Sequence, residues 1–427
     1  MSRNPLVLRL LARKFLLSKR SDAFISLIAW VSVIGVALGV LALTVVTSVI
    51  NGFEGELQRV ITGMNGDLVL YTRAEPFTEV DRIEKKIRQI LPDVKAISPS
   101  LVMEMMVAGR ESVAGAVVEG VDWNRTAAVT QITRRFVSGV PPVEKPLASP
   151  EAGAGGGGAE PAPQIEVALG EALAVRIGAR VGDGIRLVIP FSEGDLDSAS
   201  SSKVVPARVT GIVKMGMFEY DSKFVFAPIG ALRTVVGAPN QATSMKVRLV
   251  DGQRSREASD RLAESFGYPF RAKDWGQLNR NLFYAIQLEK VVISIILTAI
   301  ILVAAFNVVS TLMMLMHDKT REIAILKAMG FSGRSAFELF VWIGGGIGLV
   351  GAVAGAGLGL LANQTLARSR WIELPADIYY IGFLPVLTRW SEVLWIVGGA
   401  LLICLAATLY PAIRVARRSP LEGIVDV

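Results

Sequence analysis

Four stretches of this chain contain no Asp, Glu, Lys or Arg: Ala23 to Phe53, Val291 to Met316, Leu339 to Ala367 and Val393 to Ile413. Each exceeds the roughly 20 residues that a helix rising 1.5 Å per residue needs to cross a hydrocarbon core about 30 Å thick. They predict four transmembrane helices. A content of 52% hydrophobic and 19% charged residues over 427 positions agrees with an integral membrane protein. The first run is too long for a 7–15-residue signal core and no A-x-A-like cleavage site follows it, so it is expected to remain as an anchor.

Basic residues set the expected orientation. Arg3, Arg9, Arg13, Lys14, Lys19 and Arg20 precede the first run, Lys319, Arg321, Lys327 and Arg334 lie between the second and third, and Arg414, Arg417 and Arg418 follow the fourth. The loop between the third and fourth carries only Arg368, Arg370 and Arg389. The positive-inside rule therefore predicts that both termini and the Met316–Ser335 stretch are cytoplasmic and that residues 54–290 face outside. These cytoplasmic clusters account for the net charge of +7 without a nucleic-acid partner. The single cysteine, Cys404, lies within the fourth run, which excludes an intrachain disulfide and reads as a small core hydrophobe.

The outer segment repeats one grammar at its two ends. A strand at Asp67–Tyr71, an amphipathic helix at Glu79–Leu91 and a strand at Val94–Ser98 are matched by a strand at Met245–Val250, a helix at Arg256–Phe266 and an extended piece before Trp275. This predicts one α+β subdomain made from both ends, with a second subdomain inserted between them. The inserted part reads as mostly β, with strands at Met103–Ala108, Gly115–Val121, Ile185–Ile189, Ala207–Val213 and Lys223–Ala227. Residues 141–163, rich in Gly, Ala and Pro, lack the apolar surface needed to offset ordering entropy and are expected to be a disordered insertion. Their glycines are not a phosphate loop, because G-x-x-x-x-G-K-[ST] occurs nowhere in the chain. If ATP is used, it is hydrolysed on another chain.

Ion-coupled transporters and channels keep ionisable groups inside the bilayer, and these runs have none. Thr44, Thr47, Ser48, Asn307, Ser310 and Thr311 read as helix-packing hydrogen bonders, and Gly344, Gly348, Gly351, Gly355 and Gly359 as a small-residue stripe for close helix approach. Trp275–Met316 as one helix would be about 60 Å long and Phe24–Val60 about 55 Å, so both would project beyond the membrane as stalks. Gly52 and Gly55 could bend or end the first. In the cytoplasmic stretch, Ile323, Leu326 and Met329 recur every three residues and form an apolar arc beside Arg321, Glu322 and Lys327. Spacing alone leaves two readings open: a surface that receives force from a soluble partner, or a loop lying at the headgroups. His317 has no second His or Cys near it for a metal, and no nucleophile, base and orienting group form a recognisable catalytic set.

Five segments together are similar to the LolC/LolE family of lipoprotein-releasing ABC permeases, within the wider group that includes MacB and FtsX. They are Ile25–Leu57, Arg208–Ile229, Ala285–Lys290, Leu302–Ser332 and Tyr410–Ile424. The resemblance implies an α-helical membrane protein with four transmembrane helices and a large MacB-like α+β periplasmic domain of two subdomains between the first and second helices. It implies that Arg321–Gly330, with Arg321, Glu322, Ile323, Leu326, Lys327, Met329 and Gly330, is a coupling helix for a LolD-type cytosolic ATPase present in two copies. ATP and Mg would belong to that ATPase, with no cofactor or metal on this chain. It further implies a second permease subunit, as homodimer or LolC/LolE-type heterodimer, a triacylated lipoprotein substrate and a LolA-like periplasmic chaperone.

The family plan places acyl chains near Val46, Val49, Ile50 and Phe53 of the first run and Ile293, Leu297 and Ile301 of the second. A chaperone-docking loop would fall at residues 191–205, with Phe191, Glu193, Asp195 and Asp197, although the family's second proline-rich turn is lacking there. Glu219, Tyr220 and Asp221 match a family motif. The implied layout is a cytoplasmic segment 1–22, membrane helix and stalk 23–53, periplasmic domain 54–274, stalk and helix 275–316, coupling loop 317–338, helix 339–367, periplasmic loop 368–392, helix 393–413 and cytoplasmic tail 414–427, all in the bacterial inner membrane. Two rival functions share the resemblance: a MacB-like efflux permease and an FtsX-like signal transducer to a cell-wall hydrolase.

Overall fold

A computed structural model describes residues 23–72, 75–144, 164–189, 203–369 and 384–417. In chain order, α1 (Ala23–Asn65) is followed by β1 (Leu68–Thr72), α2 (Val80–Ile90), β2 (Val94–Ala108), β3 (Val113–Val121), α3 (Trp123–Val129) and β4 (Phe136–Gly139). Next come β5 (Ile165–Gly170), α4 (Glu171–Ile177), β6 (Gly184–Ile189), β7 (Lys203–Val213), α5 (Phe218–Lys223), β8 (Phe224–Pro228) and α6 (Ile229–Val236). Then follow β9 (Ser244–Leu249), α7 (Ser255–Phe266), β10 (Phe270–Asp274) and α8 (Trp275–Leu278). Four helices complete the described chain: α9 (Arg280–Asp318), α10 (Thr320–Ala328), α11 (Gly333–Ser369) and α12 (Trp390–Arg417). The described residues divide into two compact units, one within 23–55, 284–369 and 384–417 and one within 56–283.

Helices α1, α9, α11 and α12 are long and apolar enough to cross a membrane, and they contain the four uncharged runs. At 1.5 Å per residue, the 43 residues of α1 measure about 65 Å and the 39 of α9 about 58 Å. α1 continues through both Gly52 and Gly55, where the sequence allowed a bend or a stop. Gly52 serves a different purpose: a Cβ there would lie 2.3 Å from the carbonyl oxygen of Pro385, so the residue admits a neighbouring backbone. The second long helix begins at Arg280, later than expected. Asn279, at φ −118° and ψ 38°, breaks it from the single turn of α8, which Asp274 and Gln277 start with a capping box.

The glycine stripe of α11 is a packing device. Gly344 and Gly348 lie against Thr408 and Cys404 of α12, while Gly351, Gly355 and Gly359 lie against Val36, Ala37 and Thr44 of α1. Cys404 is fully buried there. A Cβ at Gly355 would sit 2.4 Å from the Ala37 carbonyl oxygen, so Gly355→Ala must push two helices apart. Overpacking of this kind costs about 1–3 kcal/mol. We expect Gly355→Ala to lower the thermal midpoint of the detergent-solubilised protein, and Gly357→Ala, which meets open space, to leave it unchanged. The weakly polar residues bond locally: Thr44 to the Val40 carbonyl at 2.7 Å and Ser310 to the Phe306 carbonyl at 3.1 Å. Ser32 and Thr311 join α1 to α9 at 3.0 Å.

The second unit is built on a ten-stranded sheet of order β10-β1-β9-β2-β3-β8-β5-β7-β4, with β6 paired to β2 and β7. Its two cores follow the nested plan. Leu68, Leu70, Ile87, Ile97, Met245, Val247 and Leu262, drawn from both ends of the segment, form one. Leu101, Val107, Val118, Val167, Leu169, Val209 and Leu232 form the other. What joins them is β2, a 15-residue strand where the sequence shows two shorter ones. Its first half pairs with β9 and its second with β3 and β6. Pro99 does not divide it, because β3 begins pairing only at Ser100 and a missing N–H is tolerated where a partner strand is absent.

The inserted subdomain, expected to be mostly β, also holds helices α4, α5 and α6. Elements of six to eight residues show too few turns for a helical period to emerge. Gly178 and Gly237 end two of them in the left-handed region at φ 66° and 71°. Most of the 141–163 insertion and the chaperone-loop residues Phe191, Glu193, Asp195 and Asp197 lie outside the described residues.

Candidate functional site

Only Lys319 separates α9 from α10, so the nine-residue helix of the charged stretch is linked directly to a membrane helix. Lys319 is buried and its ammonium meets Glu322 at 2.8 Å. Ile323 turns inward and packs with Leu312, Leu315, Leu339 and Phe340, and Ala324 is buried beside it. Lys327 donates to the carbonyl oxygens of Val415 and Ala416 at 2.9 and 3.3 Å, supplying partners to the last turn of α12. Gly330 then leaves the helix at φ 97°, and the Phe331 N–H closes on the Leu326 carbonyl at 2.9 Å.

The expected apolar arc therefore divides. Ile323 belongs to the bundle core and Leu326 is half-buried, whereas Met329 is 80% exposed. Ile325, which the three-residue spacing missed, is 49% exposed and lies one turn before Met329, with Ala328 exposed between them. The reason is angular. Steps of three residues drift about 60° per step around a helix of 3.6 residues per turn, while a step of four returns to within about 40°. The i, i+4 pair Ile325 and Met329 was the available signal. Arg321 and Glu322 are exposed as well, so the free surface is an apolar pair with a charged flank.

At the end of the bundle reached by Asn51, three helices share an ionic contact. Lys290 of α9 donates to Asn51 Oδ1 of α1 at 2.8 Å and to Glu392 Oε1 of α12 at 3.0 Å, and Asn51 Nδ2 donates to Glu392. Nearby, Asn363 of α11 donates to Ser48 at 2.8 Å and Thr388 at 3.0 Å. Among the acyl-contact candidates, Val46, Val49, Ile50, Phe53 and Ile293 are half-buried. Leu297 and Ile301 pack on Val36, Val40 and Leu43 inside this chain's own bundle, and Ile301 is 2% exposed against Gly39. The open face of α9 carries Val292, Ile295, Ile296 and Val303.

In the second unit, the last turn of α1 is held by cations from β9. Lys246, 5% exposed, donates to the Met64 carbonyl at 3.1 Å and pairs with Glu119 at 2.5 Å, while Ser100 donates to the same carboxylate at 2.7 Å. Arg248 donates to the Thr62 and Val129 carbonyls and to Asp67 at 2.9 Å, and Asp67 also accepts the Leu249 N–H. The Met64 carbonyl is one that a helix end leaves open, whereas the Thr62 carbonyl also accepts the Gly66 N–H at 3.0 Å. Lys246 and Arg248 alternate along the strand and are covered because the end of α1 lies on them. Of the motif at 219–221, Glu219 is exposed and Asp221 is buried. The Asp221 carboxylate accepts the N–H groups of Met215 and Gly216, and burial raises its pKa against the opposing pull of those bonds.

Comparison with known proteins adds two family matches: the MacB-like periplasmic core domain over residues 29–265 and the FtsX-like permease C-terminal family over residues 294–420. The chain is 30% identical over 420 residues to the lipoprotein-releasing system transmembrane protein LolE of Haemophilus influenzae, covering 95% of each. It is 27% identical over 429 residues to LolC of Xylella fastidiosa strain Temecula1, covering 99% of each. With LolC of Neisseria meningitidis serogroup B it shares 28% identity over 430 residues, covering 96% of this chain and 97% of that one.

Proposed function

The chain belongs to the LolC/LolE family of lipoprotein-releasing transmembrane proteins and is a permease subunit of a lipoprotein-releasing ABC transporter; we propose that it draws acylated lipoprotein from the inner membrane by relaying motion generated on a separate ATPase. On this reading both termini and α10 are cytoplasmic, residues 54–274 are periplasmic, and two LolD-like ATPases carry the ATP and Mg²⁺. A second permease subunit, identical or of the other Lol type, completes the transporter. A LolA-like periplasmic chaperone receives the triacylated lipoprotein at the loop containing Phe191, Glu193, Asp195 and Asp197. Acyl chains run along Val46, Val49, Ile50, Phe53 and Ile293. This chain contributes no catalytic group.

The observation that carries the relay is the mounting of α10. Its exposed Ile325, Ala328 and Met329 offer a docking surface, while Ile323 and Lys327 fasten the other side to the bundle core and to α12. A displacement applied to the free face therefore moves packed helices, which shift as discrete bodies because their interfaces are close-packed. The test is reconstitution in liposomes with the cognate ATPase, an acylated lipoprotein and the chaperone. ATP-dependent appearance of lipoprotein in the soluble fraction is expected. ATP turnover with all lipoprotein left in the liposomes, or copurification of a cell-wall hydrolase in place of the chaperone, overturns the reading.

A further inference from the structure

Tyr220 stands between two helix ends. Asn65, the last residue of α1, donates its Nδ2 to the Tyr220 hydroxyl at 3.1 Å. Asn279, immediately before α9, faces the same hydroxyl closely enough to act on its ionisation, and its own Nδ2 is buried with no hydrogen-bond partner among the described residues. The ring is fixed. It meets Phe224 edge-on at 5.2 Å and packs against the core of Met64, Met215 and Phe226. Its helix α5 is pinned by the two backbone N–H bonds of Asp221 and by Gly170, where a Cβ would lie 2.3 Å from the Asp221 carbonyl oxygen. Burial raises the phenol's pKa above its ordinary value, with the Asn65 bond opposing, so the hydroxyl keeps its proton and offers one donor and two acceptor sites.

We propose that Tyr220 is a positioning residue for lipoprotein release, whose hydroxyl couples the end of α1 to the start of α9 on the fixed base of α5. This rests on the reading that motion reaches the second unit through these two helices. On this proposal the bridge would have two arrangements. In the one seen here Asn65 holds the hydroxyl and the Asn279 amide is unpaired; a shift of either helix end that brings Asn279 into bonding geometry pairs a buried donor that is otherwise costly to leave open. The two ends are then displaced together.

Tyr220→Phe removes the hydroxyl and keeps the ring, so packing is preserved. In the reconstituted transporter, the variant is expected to keep its thermal midpoint and to hydrolyse ATP within about twofold of wild type, while lipoprotein released per ATP falls about fivefold, the factor of one neutral hydrogen bond. Asn65→Ala is expected to give a similar loss and the double variant little more, as for one shared interaction. An unchanged release per ATP, or ATPase and release falling in step with the midpoint, overturns the coupling role. Amide hydrogen exchange on the same complex separates this from failure of the release reading. Wild-type protection at residues 62–67 and 277–281 is expected to change together on nucleotide binding, and to change independently in Tyr220→Phe, whatever substrate is carried. Joint change that persists in the variant refutes the bridge.

Discussion

Met329→Asp is expected to lower the affinity of the chain for its ATPase by about 100-fold or more. Met329 is 80% exposed at the end of α10, and docking through the proposed face would bury an introduced carboxylate beside the apolar Ile325. Burying an unpaired carboxylate costs several kcal/mol, and about 3 kcal/mol already corresponds to a factor near 100. Ile325→Asp should behave alike, since Ile325 and Met329 share one face. Ile323→Asp should differ in kind. That side chain is in the core with Leu312 and Phe340, so the substitution should lower the thermal midpoint of the protein itself. Titration of the ATPase onto solubilised permease, followed by lipoprotein release, checks all three. Wild-type affinity in both exposed-face variants removes this surface as the docking site.

The second large effect is expected at Glu119. Its carboxylate and the Lys246 ammonium have side-chain exposures of 2% and 6%, so Glu119→Ala strands a cation in the interior beneath the end of α1. Breaking one partner of such a pair costs about 3–5 kcal/mol, which for a unit of roughly 200 residues is a fall of about 10 °C in midpoint. Removing both charges in Glu119→Ala/Lys246→Met should recover much of the loss, because the penalty comes from the unpaired ion rather than from the missing bond. Thermal unfolding of the full chain in detergent measures this. A single variant as stable as wild type would show that the Lys246 ammonium finds water there and that the helix end is loosely held.

On the proposed relay, these two sites would have different duties. The proposed docking surface of Ile325 and Met329 is apolar and open, as a surface that must bind and detach requires. The far end of α1 is ionic and closed: Lys246 and Arg248 occupy the carbonyls of Met64 and Thr62, each balanced by an acid. A hydrogen-bonded joint resists rotation where a purely apolar contact would let the rod slide, because each bond has a preferred direction.

Some of this was legible in the order of residues alone. Runs lacking Asp, Glu, Lys and Arg fix four spans because charge is expensive in hydrocarbon, and that cost is a local property of composition. The glycine stripe of α11 announced close packing for the same kind of reason, and the paired strand and helix patterns at the two ends of the second unit announced their shared core. Other features depended on what came to lie opposite. Ile323 and Met329 look alike in sequence, yet one is core and one is surface, since a short helix with apolar residues on several sides is oriented by its neighbours. Lys246 and Arg248 alternate like a solvent-facing edge, and only the arrival of α1 turns that face into an interior. Ile301 likewise is closed off by Gly39. Composition and period decide which segments must leave water; which side of a segment is hidden, and which polar groups must then find partners, is decided by elements far away in the chain, and so appears only once they have packed.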